Sequence, residues 1–423
     1  MPGFTDYRNW KAWLLENRWV RLYAVPQLGG RLIQLEMDGH GFFFVNPLLT
    51  GKDPGPSRLG ENGTWLNFGG EKIWPAPQGW NSADQWPGPP DPVLDSGEYV
   101  AELGDGSKNE LRLTGPIDRY TGLQIIREVS VSENRSEVNV AVTFKNTAST
   151  LKRWSVWPVL QMSTPGEGEG QYRVVCPANP GSRFRNGYQV MHGLVNNPQF
   201  SVNAQGNVQV DYQYLVGKIG MDTDAGWAAF NDKETGKVLA VMFPCEKDKT
   251  YPNDTSFQVW TAGRGMVYSR NVIRQYADDR TLNPPYLEME LLSSLREIMP
   301  GREVQFEYRM PASTIPDGET VKSVNETGVI ASSFTWTPQE NGIFLSAAYG
   351  VFSAGTLKIQ VHNASGREAT LHETTVSPLK GIRSRLFVPR EFLPGDFCIT
   401  ARLFDADDQL AGVLDEGVIP FNL

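Results

Sequence analysis

An all-β fold, with a large antiparallel β unit followed by a small β-sandwich, is what the sequence predicts, and three observations carry it. Glycine (42) and proline (29) make up about a sixth of the 423 residues, which suits many short strands joined by tight turns. Apolar and polar residues alternate along most of the chain, the period of a half-buried strand, and almost nothing reads as a long amphipathic helix. Aromatic residues reach 11%, with 12 tryptophans, a composition at home on pleated surfaces.

The elements follow in chain order. From Trp19 to Asn46 the text WVRLYAVPQLGGRLIQLEMDGHGFFFVN is a meander broken at Pro26, at Gly29-Gly30 and at the DGHG turn of Asp38 to Gly41. Thr50 to Pro92 differs: it carries eight prolines with repeated Trp and Gly, shows little periodicity, and is long enough to predict a functional surface. Alternation resumes in ELRLTG, LQIIREVSVS and SEVNVAVTFKN between Tyr99 and Asn146. Further strands are expected at 153–162, 208–214, 226–230, 237–243, 256–261, 286–292 and 303–309. The helical candidates are the opening stretch before Trp19 and Ser269 to Asp278. A polar stretch, PASTIPDGETVKSVNET from Pro311 to Thr327, sets a boundary near residue 320, between a first domain over 1–315 and a second over 326–423. The second, roughly 95 residues of short-strand text, is the size of a small β-sandwich.

Charge and motif content exclude several classes. The net charge of −9 and the lack of any Lys/Arg block leave no footprint for nucleic acid or for an anionic membrane surface. Cys176, Cys245 and Cys398 are odd in number and widely spaced, so they predict buried thiols rather than disulfides or a zinc site. There is no phosphate loop, dinucleotide fingerprint, nucleophile elbow or HExxH, so no cofactor is expected. The only histidines are His40, His192, His362 and His372, too few and too scattered for a metal centre or a Ser-His-Asp triad. Asp84, Asp91 and Asp95 lack calcium-loop spacing, so no metal is expected either. No signal peptide opens the text and no run of about 18 apolar residues follows. A soluble protein is expected, cytoplasmic as written or periplasmic or secreted if a leader was removed. The oligomeric state is not legible.

Three constellations hold chemistry. LNFGGEKIWPAPQGW, Leu66 to Trp80, sets Lys72, Trp74, Gln78 and Trp80 among backbone-fixing prolines. Aromatic faces that pack on the C–H face of a pyranose, beside directional amide and ammonium donors, are what a sugar site needs; the same text also suits a loop that caps a sheet. In PYLEMELL, strand alternation puts Tyr286, Glu288 and Glu290 on one face. Facing a pocket, like-charge proximity would raise one carboxyl and leave a base beside an acid; facing water, the pair is the solvated side of a strand. In WSVWPVLQ, Ser155, Trp157, Val159 and Gln161 share a face that serves ligand or core equally well.

These residues resemble a known family. NRWVRLYAVPQLGGRLIQLEMDG with FFFVNP is similar to the first strands of galactose mutarotase-like (aldose 1-epimerase-like) proteins. FGGEKIWPAPQGW is similar to the loop bordering their sugar pocket, and YLEMELLSSLREIMPGREVQFEYRM to their closing element. The text is closer still to a bacterial branch classed only as a domain of unknown function. The resemblance spans roughly residues 10 to 312. It implies a β-supersandwich with a concave carbohydrate site, Glu288 as general base, and Lys72, Trp74, Gln78 and Trp80 on the rim. In the family a histidine acid follows an Asn-Thr turn; here Asn146-Thr147 leads into Trp157 instead.

Mutarotation needs a base for the anomeric hydroxyl proton and an acid for the ring oxygen. The acid then falls to Lys72, Lys218, His192 or Glu290. An epimerase or mutarotase, or a lyase in which Lys72 or Lys218 steadies an enolate-like intermediate, is the leading expectation. An inverting hydrolase is disfavoured, because glutamates at i and i+2 approach a bond from the same side. The alternative is a non-catalytic carbohydrate-binding protein in which Trp74, Trp80 and Trp157 stack on sugar, with Gln161, Lys218 and His192 as further contacts. A purely structural protein is the third possibility.

Overall fold

The computed structural model describes residues 3–104, 109–166, 168, 170–269, 272–363, 368–389 and 397–419. Among them the helical elements are two single 3₁₀ turns, Glu61–Gly63 and Pro252–Asp254, and nearly everything else regular is antiparallel strand. The fold is all-β. No helix among the described residues is long and apolar enough to cross a membrane.

The chain divides into two compact units. One comprises Met1–Ser132, Val138–Phe230 and Val241–Met310; the other comprises Glu133–Glu137, Asn231–Ala240 and Pro311–Leu423. In the second, strands Ser323–Val324, Gly328–Gln339, Gly342–Val351 and Ile382–Pro389 form one sheet. Glu368–Val376, Gly355–Asn363, Phe397–Phe404 and Leu410–Ile419 form another. Buried Leu345, Tyr349, Leu357, Ile359, Ile399 and Leu403 make its core, as alternation with one apolar face per strand requires.

The first unit holds a twelve-stranded sheet and most of a ten-stranded one. Half of the larger sheet consists of six neighbouring antiparallel strands, in the order Glu71–Ala76, Lys152–Ser163, Tyr286–Leu291, Phe257–Thr261, Gly217–Met221 and Gln189–Gly193. Charged groups link the two sheets across the interior. Arg127, on strand Leu123–Val131 of the ten-stranded sheet, pairs with Glu71 and donates to the Gly30 carbonyl at 2.7 Å; the Tyr308 hydroxyl also donates to Glu71. All three side chains are fully or almost fully buried, so Glu71 is held from behind while its neighbours Lys72 and Trp74 turn to the other face.

The structure differs from the sequence reading at four places. Of the three thiols expected to be buried, only Cys176 is; Cys245 is half-buried and Cys398 is exposed, on a strand face turned away from the core. The opening stretch is not helical but a hairpin, Gly3–Tyr7 with Trp10–Glu16, turned by Arg8 and Asn9 at positive φ; Trp10 and Ala12 are buried on one face and Leu15 on the other. Val272–Tyr276, inside the second helical candidate, is a strand paired with Gly265–Ser269, as β-branched Val272 and Ile273 favour; residues 270 and 271 lie outside the described residues. The Pro-rich stretch is not loop throughout, since Glu71–Ala76 lies deep in the sheet. Pro75 is tolerated because only Leu32 of the next strand pairs back, at Glu71, so the flank at Pro75 faces no ladder. Gly69 and Gly70, at φ 96° and 73°, launch this strand. A Cβ on Gly69 would stand 2.0 Å from the Phe44 carbonyl oxygen.

Candidate functional site

The register of the six strands assembles the site. Directly opposed residues in antiparallel strands share a face. Trp74 opposes Trp157; Lys72 opposes Val159; Gln161 opposes Glu288; Glu288 opposes Trp260; Glu290 opposes Gln258; Trp260 opposes Lys218; and Lys218 opposes His192. One continuous face therefore carries two carboxylates, two lysines, three tryptophans, two glutamines and a histidine. Over it opens a cavity of about 580 Å³, within the ~300 to 1,000 Å³ typical of small-molecule sites. Asn62 to Trp65, Ala76 to Gln78 and the Pro89-Pro90 pair border one side of it, and the hairpin residues Val267, Arg274 and Tyr276 border another.

Two carboxylate–lysine pairs form the floor. Glu288 Oε1 accepts from Gln161 Nε2 at 2.7 Å and from Lys72 Nζ at 3.3 Å, while no described residue donates to Oε2 of this cavity-lining side chain. Facing a carboxylate, Gln161 must present its amide nitrogen. Glu290 Oε2 accepts from Trp157 Nε1 at 2.9 Å and from Lys218 Nζ at 2.8 Å. Burial pushes the Glu290 carboxyl up; Lys218 pulls it back and Glu288 pushes it further up. The two lysines differ in access. Lys72 is 1% exposed and does not line the cavity, whereas the Lys218 side chain is 16% exposed and does. Lys72 lies 4.4 Å from the Trp74 ring centroid and 5.1 Å from that of Trp65. Burial lowers its pKa to about 8 against the opposing pull of Glu288.

Asp95 organises the tryptophan side. Its Oδ1 accepts from Arg31 at 2.9 Å and from Trp74 Nε1 at 3.1 Å, and its Oδ2 accepts from Trp65 Nε1 at 2.7 Å. Both indoles are thereby oriented by one buried carboxylate, and Trp74 meets Trp157 edge-on at 5.4 Å.

The predicted residues are distributed as follows. Glu288, Glu290, Trp74, Trp157, Gln78, Lys218 and His192 line the cavity; Lys72 and Gln161 lie beneath it, touching Glu288. His192, on the last of the six strands, packs its ring on Trp260 at 5.3 Å, and its Nε2 is 2.9 Å from the Met266 carbonyl oxygen. Trp80 stands apart, 39% exposed in the turn after Gly79, and does not line the cavity. Trp74 and Trp157 are each only 4% exposed, so the half-buried indoles facing the cavity are those of Trp65 and Trp260. Sequence reasoning missed Trp65, Gln258, Trp260 and Arg274. The alternation of FQVWT held the signal for two of them, placing Gln258 and Trp260 on the face opposite Phe257 and Val259. Among the described residues no group of three or more His, Cys, Asp or Glu is placed to hold a metal ion.

An all-β protein with an acid–lysine floor in a tryptophan-bordered cavity is the class that fold and site define. The chain belongs to the family described as a domain of unknown function, DUF4380, whose model matches residues 11–310, nearly the span over which the sequence resemblance runs. Among solved structures it is similar to the Slr1438 protein of Synechocystis, at 12% identity and a TM-score of 0.46, covering 73% of this chain and 99% of that one. A galactose mutarotase-like protein from Lactobacillus casei is similar at 12% identity and TM-score 0.42, covering 73% and 100%. A galactose mutarotase related enzyme from Lactobacillus acidophilus is similar at 9% and 0.41, covering 71% and 96%. A search of curated proteins gave no match.

Proposed function

We propose that this cavity binds a sugar and that the protein is an acid–base enzyme of the epimerase or mutarotase type, with Glu288 as general base. The observation that carries the reading is the asymmetry of the floor. One carboxylate has an oxygen free toward the cavity, and its neighbour two residues along is pushed toward its protonated form by burial. In this reading Glu288 Oε2 takes the anomeric hydroxyl proton. The Lys218–Glu290 pair, in reach of the same cavity, gives a proton to the ring oxygen in place of the histidine that the resemblance leads one to expect. Lys72 and Gln161 then hold Glu288 in place rather than touching the sugar, and Trp65 and Trp260 offer the stacking faces.

A second reading, a binding protein without turnover, is favoured by one fact: each carboxylate already carries a lysine, which makes the floor a neutral, well-satisfied polar surface. The two readings separate in one experiment. Mono- and oligosaccharides that bind are followed by NMR for anomeric exchange or other conversion, with the wild type and Glu288→Gln. Exchange faster than in buffer, lost in the variant, is the outcome the enzymatic reading expects. A sugar bound but chemically unchanged moves the protein to the binding class, and no bound sugar at all overturns both.

A further inference from the structure

The hairpin Gly265–Ser269 with Val272–Tyr276 carries a cation that the floor chemistry does not use. Val267 opposes Arg274, and both line the cavity together with Tyr276, on the same face of the hairpin. Arg274 is exposed and, among the described residues, has no hydrogen bond or ion pair. The other described arginines of this segment are engaged. Arg264 pairs with Asp278 at 2.8 Å, and Arg280 donates to the Gly166 carbonyl at 2.9 Å and lies over the Tyr214 ring. Within the cavity, Glu288 and Glu290 are already matched by Lys72 and Lys218, which leaves Arg274 as a charge in excess.

Resting on the sugar-binding reading above, we infer that the ligand is an acidic sugar whose anionic substituent meets the Arg274 guanidinium at the cavity mouth. The chain as a whole is at −9, so no general field draws an anion here and the attraction has to be local. A planar guanidinium with no partner among the described residues is matched to the paired oxygens of a carboxylate, a sulfate or a phosphate. With both floor carboxylates neutralised by lysine, no unpaired negative charge in the cavity opposes such a ligand. Tyr276, on the same face as Arg274, adds an aromatic edge for the ring that bears the acid.

The test is calorimetric binding of three acidic probes, a hexuronic acid, a hexose 6-phosphate and a sulfated hexose, each beside its neutral parent sugar, with the wild type, Arg274→Ala and Arg274→Lys. The expected result is that at least one acid binds about five- to tenfold more tightly than its parent. The preference should vanish in Arg274→Ala, survive in part in Arg274→Lys, and shrink as salt is raised. Which of the three acids shows it identifies the substituent. Neutral parents that bind as well as every acid, with no change in Arg274→Ala, overturn this inference and leave the sugar reading standing. If neither acids nor parents bind, the sugar reading itself fails.

Discussion

The two carboxylate–lysine pairs of the floor are the same chemistry in two environments. Glu288 and Glu290 sit two residues apart on one strand and face the same way, yet their lysines arrive from opposite sides. Lys72 comes from the Glu71–Ala76 strand, beyond Lys152–Ser163, and is sealed under Trp74. Lys218 comes from Gly217–Met221, beyond Phe257–Thr261, and stays open to the cavity. An ion pair closed off from water fixes geometry, whereas one at the edge of a cavity can exchange a proton with a ligand. The difference teaches that a carboxylate's environment follows from which neighbouring strand supplies the cation, not from the carboxylate's own strand.

Substitution at the two carboxylates should break the comparison most sharply. If Glu288 is the base, Glu288→Gln loses about 10²- to 10⁴-fold in turnover with binding little changed, while Glu290→Gln keeps part of the rate because Lys218 remains. Equal losses in the two variants, measured by NMR exchange rates, would deny them distinct roles.

Removing each lysine sharpens the comparison through stability. Lys218→Met strands the more deeply buried Glu290 with only Trp157, and about 3 kcal/mol is expected to be lost in denaturant midpoints; Lys72→Met, whose partner Glu288 keeps Gln161 and an oxygen open to the cavity, loses about half as much.

The pH dependence of stability separates them further. Lys72 is lowered from 10.5 to about 8 in the folded protein, so between those values the unfolded chain holds more protons. Stability contributed by this group therefore rises with pH across that window, by up to roughly 3 kcal/mol, and is flat below it. In Lys72→Met the rise should disappear, while in Lys218→Met it should persist; thermal melts from pH 7 to 11 would show a single curve for both if the assignment is wrong.

The smallest effect is expected at Trp157, which touches only one of the pairs. Trp157→Phe keeps one aromatic ring and deletes the 2.9 Å donation to Glu290, at a cost of about 1 kcal/mol. It also raises the Glu290 carboxyl further, which its ¹³C shift would report, with the Glu288 signal unmoved.

Much of the site was legible in the alternation of single strands. Tyr286, Glu288 and Glu290 share a face because successive side chains of a strand point oppositely, and the same holds for Trp157 with Gln161. Trp80 was misplaced because its Trp/Pro-rich context reads the same for a cavity wall and for an exposed turn. The hairpin strand at Val272–Tyr276 was misread because a five-residue strand with Arg and Gln inside it offers too short a pattern to settle its period.

The sequence by itself determined the all-β class, the family, and which residues share a face within each strand, because turn composition and period-two alternation are local properties of the chain. Only the tertiary structure decided which strands became neighbours, and in what register. Lys72 and Glu288 meet across 216 positions of sequence, and nothing local to either specifies the other. Burial was likewise decided there. A lysine is drawn from water when tryptophans oriented by a distant carboxylate, Asp95, close over it, and that desolvation, summed over the whole fold, separates its pair from the otherwise identical one beside it.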